Sequence, residues 1–149
     1  MSAVVDAGVR LHVYRELAEH GVAPTTAATA EALGLDPSEA AAAYRRLAAA
    51  HAIVLEPGTD DVWMAAPFSA RPTGFRVRSG DRQWFGNCVW DAAAIPPMLG
   101  VDGTVMSTCP DCDEPLELDV RDGSLHGPAG AVAHFAVPAA RWWEDIGFT

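Results

Sequence analysis

The sequence contains no lysine: all ten of its basic residues are arginines, against twenty acidic residues, and the net charge is −10 over 149 residues. A surface of this sign repels phosphate backbones, because nucleic-acid binding is driven by Lys and Arg displacing counterions. No apolar run approaches the roughly 18 residues of a membrane span, and no basic flank with an apolar stretch marks a signal peptide. We therefore expect a cytoplasmic protein with no nucleic-acid or membrane partner.

The sequence is also poor in cysteine, with only Cys88, Cys109 and Cys112. An odd number in a chain expected to be cytoplasmic argues against a disulfide framework. Thiol chemistry or metal binding is the favoured interpretation. The alternative is that a cysteine serves as a small buried hydrophobic residue, which is common.

Residues 1–66 carry the pattern of three helices and a β-hairpin. Apolar residues at helical spacing predict the first helix, and Thr25 or Thr26 and Asp36 are suitable caps for the next two. The predicted helices are 6–20, 26–33 and 37–50, and the predicted strands are 52–56 and 61–66. This order is typical of a winged helix. Arg45 and Arg46 are the only basic residues of the third helix that could contact a nucleic acid. A structural or lid role of this module is therefore favoured over DNA binding.

The second half alternates between helical and extended patterns. Residues 67–85 are interpreted as a connector leading into a possible strand, and 86–149 as a small mixed α/β domain. The fold class is therefore α+β, with a winged-helix-like module followed by this small mixed domain. The predicted elements are a helix from Trp84 to Ile95 ended by Pro96-Pro97, strands at 104–108, 116–120 and 132–137, a turn at 122–123 and a short helix at 139–146.

Cys88 and Asp91 are the candidate catalytic residues. Three positions apart on a predicted helix, their side chains share one face, with Cβ atoms about 5–6 Å apart. The carboxyl can take or give a proton, and the thiolate can attack carbon or bind a soft metal. Trp84, Phe85 and Ile95 make the surroundings apolar, so burial should raise both pKa values. The alternative is Cys88 as a core residue and Asp91 held by backbone amides.

The segment Cys109-Pro110-Asp111-Cys112 resembles one zinc knuckle, a tight turn that aims two thiolates at a metal. A zinc site would need two more ligands, for which Cys88, His126 and His134 are minor candidates at no standard spacing. Three interpretations remain open: zinc held at Cys109 and Cys112, a plain hairpin turn, or a second soft ligand supplied to Cys88. The candidate metal ligands are Cys88, Cys109 and Cys112.

The order of these features resembles the organomercurial (alkylmercury) lyases. A winged-helix-like part precedes a Cys-x-x-Asp helix, here at 88–91, and an apolar stretch with prolines, here at 95–100. A strand ending in Ser/Thr-Cys, here at 107–109, and the sequence Phe-Ala-Val-Pro at 135–138 complete the pattern. The resemblance spans nearly the whole chain and implies that 86–149 form an alkylmercury-lyase-like domain, of the lyase type but short at its C-terminal end.

The resemblance implies that Cys88 binds mercury as a thiolate, that a second cysteine completes a dithiolate, and that Asp91 protonates the departing carbon. Mercury is a soft metal that prefers thiolate ligands. No cofactor is required, because mercury is part of the substrate and product; an organometallic small molecule and a low-molecular-weight thiol are the expected partners. Cys109 corresponds to a family cysteine of structural role.

In that family the second catalytic cysteine follows a segment similar to residues 141–149, where the sequence ends. We therefore expect a short or divergent member without it, unless Cys109 or Cys112 lies beside Cys88. One alternative is a recruited member that performs acid–base, lyase or cyclisation chemistry on a small organic molecule in a biosynthetic pathway. The other is a non-enzymatic thiol protein that binds metal.

Overall fold

The computed structural model describes residues 2–147, and its N-terminal part consists of three helices: α1 (Ser2–His20), α2 (Thr26–Leu33) and α3 (Pro37–Ala49). The predicted caps are confirmed. The Thr25 hydroxyl accepts a hydrogen bond from Ala28 N at 3.1 Å, and the Asp36 carboxylate accepts one from Ser38 N at 2.8 Å. Helix α1 begins earlier than predicted because Val5, one turn before Val9, also packs against the core.

A small antiparallel sheet follows the helices, in the order β1 (Val54–Leu55), β2 (Val62–Ala65) and β3 (Phe68–Ser69). The two predicted strands are confirmed in shortened form. The third strand was not predicted, since residues 68–69 fell in the segment interpreted as a connector. The order of three helices and then a small sheet is the one that the sequence indicated.

A second antiparallel sheet has the strand order β5-β4-β6-β7-β8. Its strands and one helix are β4 (Arg76–Ser79), β5 (Arg82–Phe85), α4 (Val89–Leu99), β6 (Gly103–Thr108), β7 (Pro115–Arg121) and β8 (Ser124–His126). The connector predicted at 67–85 is thus largely strand. In β4 the side chains alternate between exposed Arg76 and Arg78 and fully buried Val77, which is the pattern of a strand with one face on the core.

Helix α4 departs from its prediction at both ends. Trp84 and Phe85 belong to β5, so the helix starts at Val89 instead of Trp84. Pro96 and Pro97 lie inside the helix instead of ending it. Proline removes a backbone donor from the helix interior, yet α4 continues for nearly another turn. It ends at Gly100, whose φ of 65° closes the helix while Val101 N donates to Pro96 O at 3.0 Å.

The residues from 127 to 147 are mostly exposed and do not form the strand predicted at 132–137. Within the described chain this stretch pairs with no strand. Its side chains provide the contacts instead: Phe135 packs edge-on against Trp90, with ring centroids 6.2 Å apart, and against Trp142 at 5.6 Å. A 3₁₀ helix over Ala139–Glu144 takes the place of the short helix predicted at 139–146.

One hydrophobic core joins the helical part to the second sheet. Val13 and Leu17 of α1 belong to the same buried cluster as Val77 and Trp84. The Trp84 indole N–H also donates to Ala18 O at 2.9 Å. The division into 1–66, 67–85 and 86–149 remains a prediction. Among the described residues, no helix has both the length and the apolar character required to cross a membrane.

Candidate active site

The turn between β5 and α4 sets the position of the candidate site. Gly86 N donates to Phe75 O at 2.9 Å, and the Thr73 hydroxyl donates to Gly86 O at 2.6 Å. A Cβ at Gly86 would lie 2.5 Å from Ala92 N and 2.7 Å from Ala92 Cα. Only glycine therefore allows β5 to pass so close to the first turn of α4.

Cys88 is the N-cap of α4, not a residue within the helix as predicted. Its backbone is extended, with φ −142° and ψ −179°, and its Sγ accepts a hydrogen bond from Asp91 N at 3.5 Å. Asp91 occupies the first helical turn. The predicted proximity of Cys88 and Asp91 is therefore confirmed, although it arises from capping instead of a shared helix face.

Burial governs the acidity of both groups. It is the largest cause of the raised pKa of Cys88, and the nearby Asp91 charge raises that pKa further, against the backbone N–H groups of Asp91 and Trp90. Burial likewise raises the pKa of Asp91, against a hydrogen bond from Asn87. Both directions agree with the sequence prediction. Burial thus shifts both groups toward their neutral forms, relative to the free side chains.

Asn87 was missed by the sequence analysis. Its Nδ2 donates to Asp91 Oδ2 at 2.9 Å, while its Oδ1 is buried and has no hydrogen-bond partner in the part of the chain that the structure describes. A buried, unpartnered amide oxygen is costly. The position of Asn87 beside Cys88, and four residues before Asp91, was the available indication of a role.

An apolar cavity of about 210 Å³ opens onto this turn. Asn87, Cys88, Trp90 and Asp91 form one side of it. The remaining lining residues are mostly apolar or aromatic: His51, Ala52, Ile53, Val54, Met64, Ala66, Trp142, Trp143 and Ile146. The cavity therefore suits a small apolar group held beside a thiol and an acid.

His51 and Trp143 form the aromatic end of the cavity. Their rings stack at 3.8 Å with an interplanar angle of 5°. His51 has a φ of 58°, in the left-handed region that residues other than glycine rarely adopt. A neighbouring depression shares Asn87 and Cys88 and is lined in addition by His134 and Phe135. Sequence reasoning did not identify the aromatic residues, because nothing local places 142–143 beside α4.

Cys109 and Cys112 lie on the loop between β6 and β7. Neither is among the residues that line the two cavities at Cys88. Across residues 2–147, no group of three or more His, Cys, Asp or Glu side chains could hold a metal, so Cys88, Cys109 and Cys112 do not form one ligand set. His126 is exposed on β8.

The Cys109 sulfur is nevertheless held in a defined environment. Hydrogen bonds from the backbone N–H groups of Asp111 and Cys112, and from the Cys112 side chain, lower the pKa of Cys109, against burial and the Asp111 charge. The loop is closed by hydrogen bonds from Cys109 N to Glu114 O at 2.8 Å and from Asp113 N to Cys109 O at 2.9 Å.

In this α+β chain, the half-buried thiol of Cys88 and the half-buried carboxyl of Asp91 thus border one apolar cavity. The sequence model of the family described as MerB, alkylmercury lyase, matches residues 68–149, more than half of the chain. The chain belongs to the alkylmercury lyase family. No curated protein matches it by sequence.

A solved structure supports the fold. The crystal structure of the mercury-bound form of MerB2 superposes with a TM-score of 0.62 at 23% sequence identity, covering 79% of this chain. The likeness establishes the α+β architecture. The chain spans 58% of the length of that protein.

Proposed function

We propose that this chain cleaves the carbon–mercury bond of an organomercurial compound, with Cys88 as the mercury-binding thiolate and Asp91 as the proton donor. The observation that carries the proposal is the N-terminus of α4, where the Cys88 sulfur and the Asp91 backbone are hydrogen-bonded and both residues border one apolar cavity. Membership of the alkylmercury lyase family supports this assignment.

Binding begins when the Cys88 sulfur displaces a ligand from mercury. The Cys88 proton leaves to solvent as the mercury–sulfur bond forms, because a metal-bound thiol is deprotonated. Mercury favours sulfur over the oxygen and nitrogen donors nearby. The raised pKa of Cys88 therefore delays thiolate formation until mercury arrives, which disfavours reaction with other electrophiles.

Protonation of carbon completes the reaction. A low-molecular-weight thiolate supplies the second sulfur ligand, and two thiolates push electron density onto mercury. The electron pair of the carbon–mercury bond takes the proton of neutral Asp91 and becomes a carbon–hydrogen bond. A hydrocarbon leaves, mercury(II) remains on the two sulfurs, and the Asp91 carboxylate regains a proton from solvent.

The cavity favours substrates with an apolar organic group. Its wall beyond the thiol and the acid is made largely of apolar side chains, both aliphatic and aromatic, including Trp142 and Trp143. A methyl or phenyl group would be desolvated there, while mercury stays at the polar end with Cys88. Burial of Asp91, which raises its pKa, also favours the neutral form that donates the proton.

The proposal is tested by measuring methane from methylmercury, or benzene from phenylmercury, in the presence of excess thiol. Wild-type protein should release hydrocarbon above the thiol-only background. Cys88→Ser should abolish release, and Asp91→Asn should reduce it by roughly 10²–10⁴-fold, the usual contribution of a general acid. Gln83→Ala, an exposed change on β5, is the matched control. Hydrocarbon at background level from the wild type would refute the proposal.

A further inference from the structure

The loop that joins β6 to β7 is constructed around two thiols. Cys109 directly follows β6, and the chain returns to β7 at Pro115 through the hydrogen bond from Cys109 N to Glu114 O. Asp113 adopts a φ of 57° within this turn, and Asp113 N closes it by donating to Cys109 O. The backbone thus fixes the two cysteines of the segment 109–112 on one tight loop.

The two thiols lie in one turn, since the hydrogen bond from Asp113 N to Cys109 O encloses both cysteines. Hydrogen bonds from the backbone N–H groups of Asp111 and Cys112, and from the Cys112 side chain, also lower the pKa of Cys109. Donors aimed at sulfur stabilise a thiolate once a cation replaces its proton. Cys112 is exposed and Cys109 half-buried, so the pair is accessible from solvent.

We infer that Cys109 and Cys112 form a second metal site, separate from Cys88, which binds a soft cation through two thiolates, with inorganic mercury(II) as its ligand. Mercury(II) is satisfied by two sulfur ligands. A structural zinc ion requires four, and the described residues provide no group of three or more metal-ligating side chains at this loop or elsewhere. The two-thiol geometry therefore selects a two-coordinate soft metal over zinc.

Binding is an exchange of protons for metal. Each thiol loses one proton to solvent, and each thiolate forms one bond to mercury(II), with no oxidation or reduction. Two thiols on one loop also act at a high effective concentration toward the same ion, which a free monothiol cannot match. The inference does not rest on the proposed carbon–mercury cleavage, since neither cysteine lines the cavity at Cys88.

The test uses full-length Cys88→Ser protein, so that only the loop thiols remain. The reduced protein is mixed with mercury(II) chloride in excess glutathione, and native mass spectrometry counts the mercury atoms retained per chain. One mercury atom per chain is expected. Cys88→Ser/Cys112→Ser and Cys88→Ser/Cys109→Ser should each lower retention by roughly tenfold or more, because the chelate is lost.

Cys88→Ser/Asp111→Asn is the matched control, because it keeps both thiols and the backbone donors, and it should retain mercury as Cys88→Ser does. Circular dichroism of each variant shows whether the fold is preserved. Absence of mercury in Cys88→Ser, or full retention after loss of Cys112, would overturn the inference. Retention of zinc in preference to mercury would overturn the two-coordinate assignment. Since no carbon–mercury bond is present, failure here is distinct from failure of the lyase proposal.

Discussion

At the scale of single residues, burial makes Asp91 a weaker acid than a free aspartate. Its carboxyl binds a proton more tightly in the folded chain than in the unfolded one, because burial raises its pKa. This group therefore favours folding below its ordinary pKa, and that contribution is lost as the pH rises through the raised folded pKa. The half-buried carboxyl of Asp91 thus costs stability near neutral pH.

Replacing this carboxyl should stabilise the fold while removing activity. We expect Asp91→Asn to raise the melting temperature at neutral pH, by roughly 2–4 °C if about 1 kcal/mol is relieved. The gain should vanish at acidic pH, where the wild-type carboxyl is protonated in both states. Thermal unfolding followed by circular dichroism at several pH values measures this. Asp81→Asn, on the exposed turn between β4 and β5, is the control, and a pH-independent difference for Asp91→Asn would contradict the assignment.

Asn87 should act as a positioning residue for the proton donor. Its hydrogen bond to Asp91 lowers the pKa of the carboxyl, opposing burial. Asn87→Ala should therefore raise the pKa of Asp91 further. In single-turnover reactions with mercury already bound, the rate falls at high pH as Asp91 loses its proton. This fall should occur at a higher pH in Asn87→Ala than in the wild type.

A merely structural role would lower the Asn87→Ala rate equally at every pH. An unshifted profile would therefore rule out the positioning role. Gln83→Ala serves again as the control, since it leaves the hydrogen bond at Asp91 intact.

At the scale of elements, local signals predicted the helices of the first half well. Thr25 and Asp36 cap α2 and α3 as expected, because a capping side chain bonds to its own helix and needs no distant partner. Strand β5 and residues 132–137 could not be assigned in this way. Trp84 belongs to an apolar run that suits either a helix or a strand, and only pairing with Val77 on β4 makes it a strand.

The candidate site was predictable in part for the same reason. The pair Cys88 and Asp91 is close in sequence, and it remains close although the helix starts later than predicted. The residues of the aromatic end of the cavity are far from each other in sequence. The rings of His51 and Trp143 stack only in the folded chain. The roles of Cys88, Asp91, Cys109 and Cys112 remain predictions to be tested chemically.

The close passage of β5 and α4 gives a prediction for this junction. Gly86→Ala would place a Cβ against the backbone of Ala92, so either the start of α4 shifts or the packing is lost. We expect destabilisation by about 1–3 kcal/mol, typical of overpacking, together with a marked loss of hydrocarbon release because Cys88 is displaced.

Gly74→Ala is the matched control, because a Cβ there has no neighbour within 4 Å and no positive φ is required. Urea unfolding measures stability and the methylmercury assay measures activity. Equal behaviour of the two variants would contradict the structural role given to Gly86.

At the scale of the whole molecule, the chain is acidic, and both arginines of α3 form ion pairs with acidic side chains. Arg45 and Arg46, the two cations of α3, pair with Asp60 and Asp6 at 2.6 Å each. These pairs leave α3 with little positive charge to offer a phosphate backbone. The expectation of no nucleic-acid partner remains a prediction.

The shared core predicts that the helical part and the second sheet unfold together. Leu17 of α1 is fully buried in the cluster that contains Trp84. Leu17→Ala should cost about 2–5 kcal/mol and shift the unfolding seen by tryptophan fluorescence and by far-ultraviolet circular dichroism equally. Leu11→Ala, on the half-exposed face of the same helix, should have a small effect. Two separate transitions would contradict a single core.

The central claim is that Cys88 holds the mercury of an organomercurial while Asp91 delivers the proton. The most direct measurement is mass spectrometry of Asp91→Asn after reaction with methylmercury, followed by mapping of the adduct. The account predicts an intact methylmercury group persisting on Cys88, whereas wild-type protein loses the methyl group as methane. Methane release by Asp91→Asn at the wild-type rate, or an adduct absent from Cys88, would contradict it.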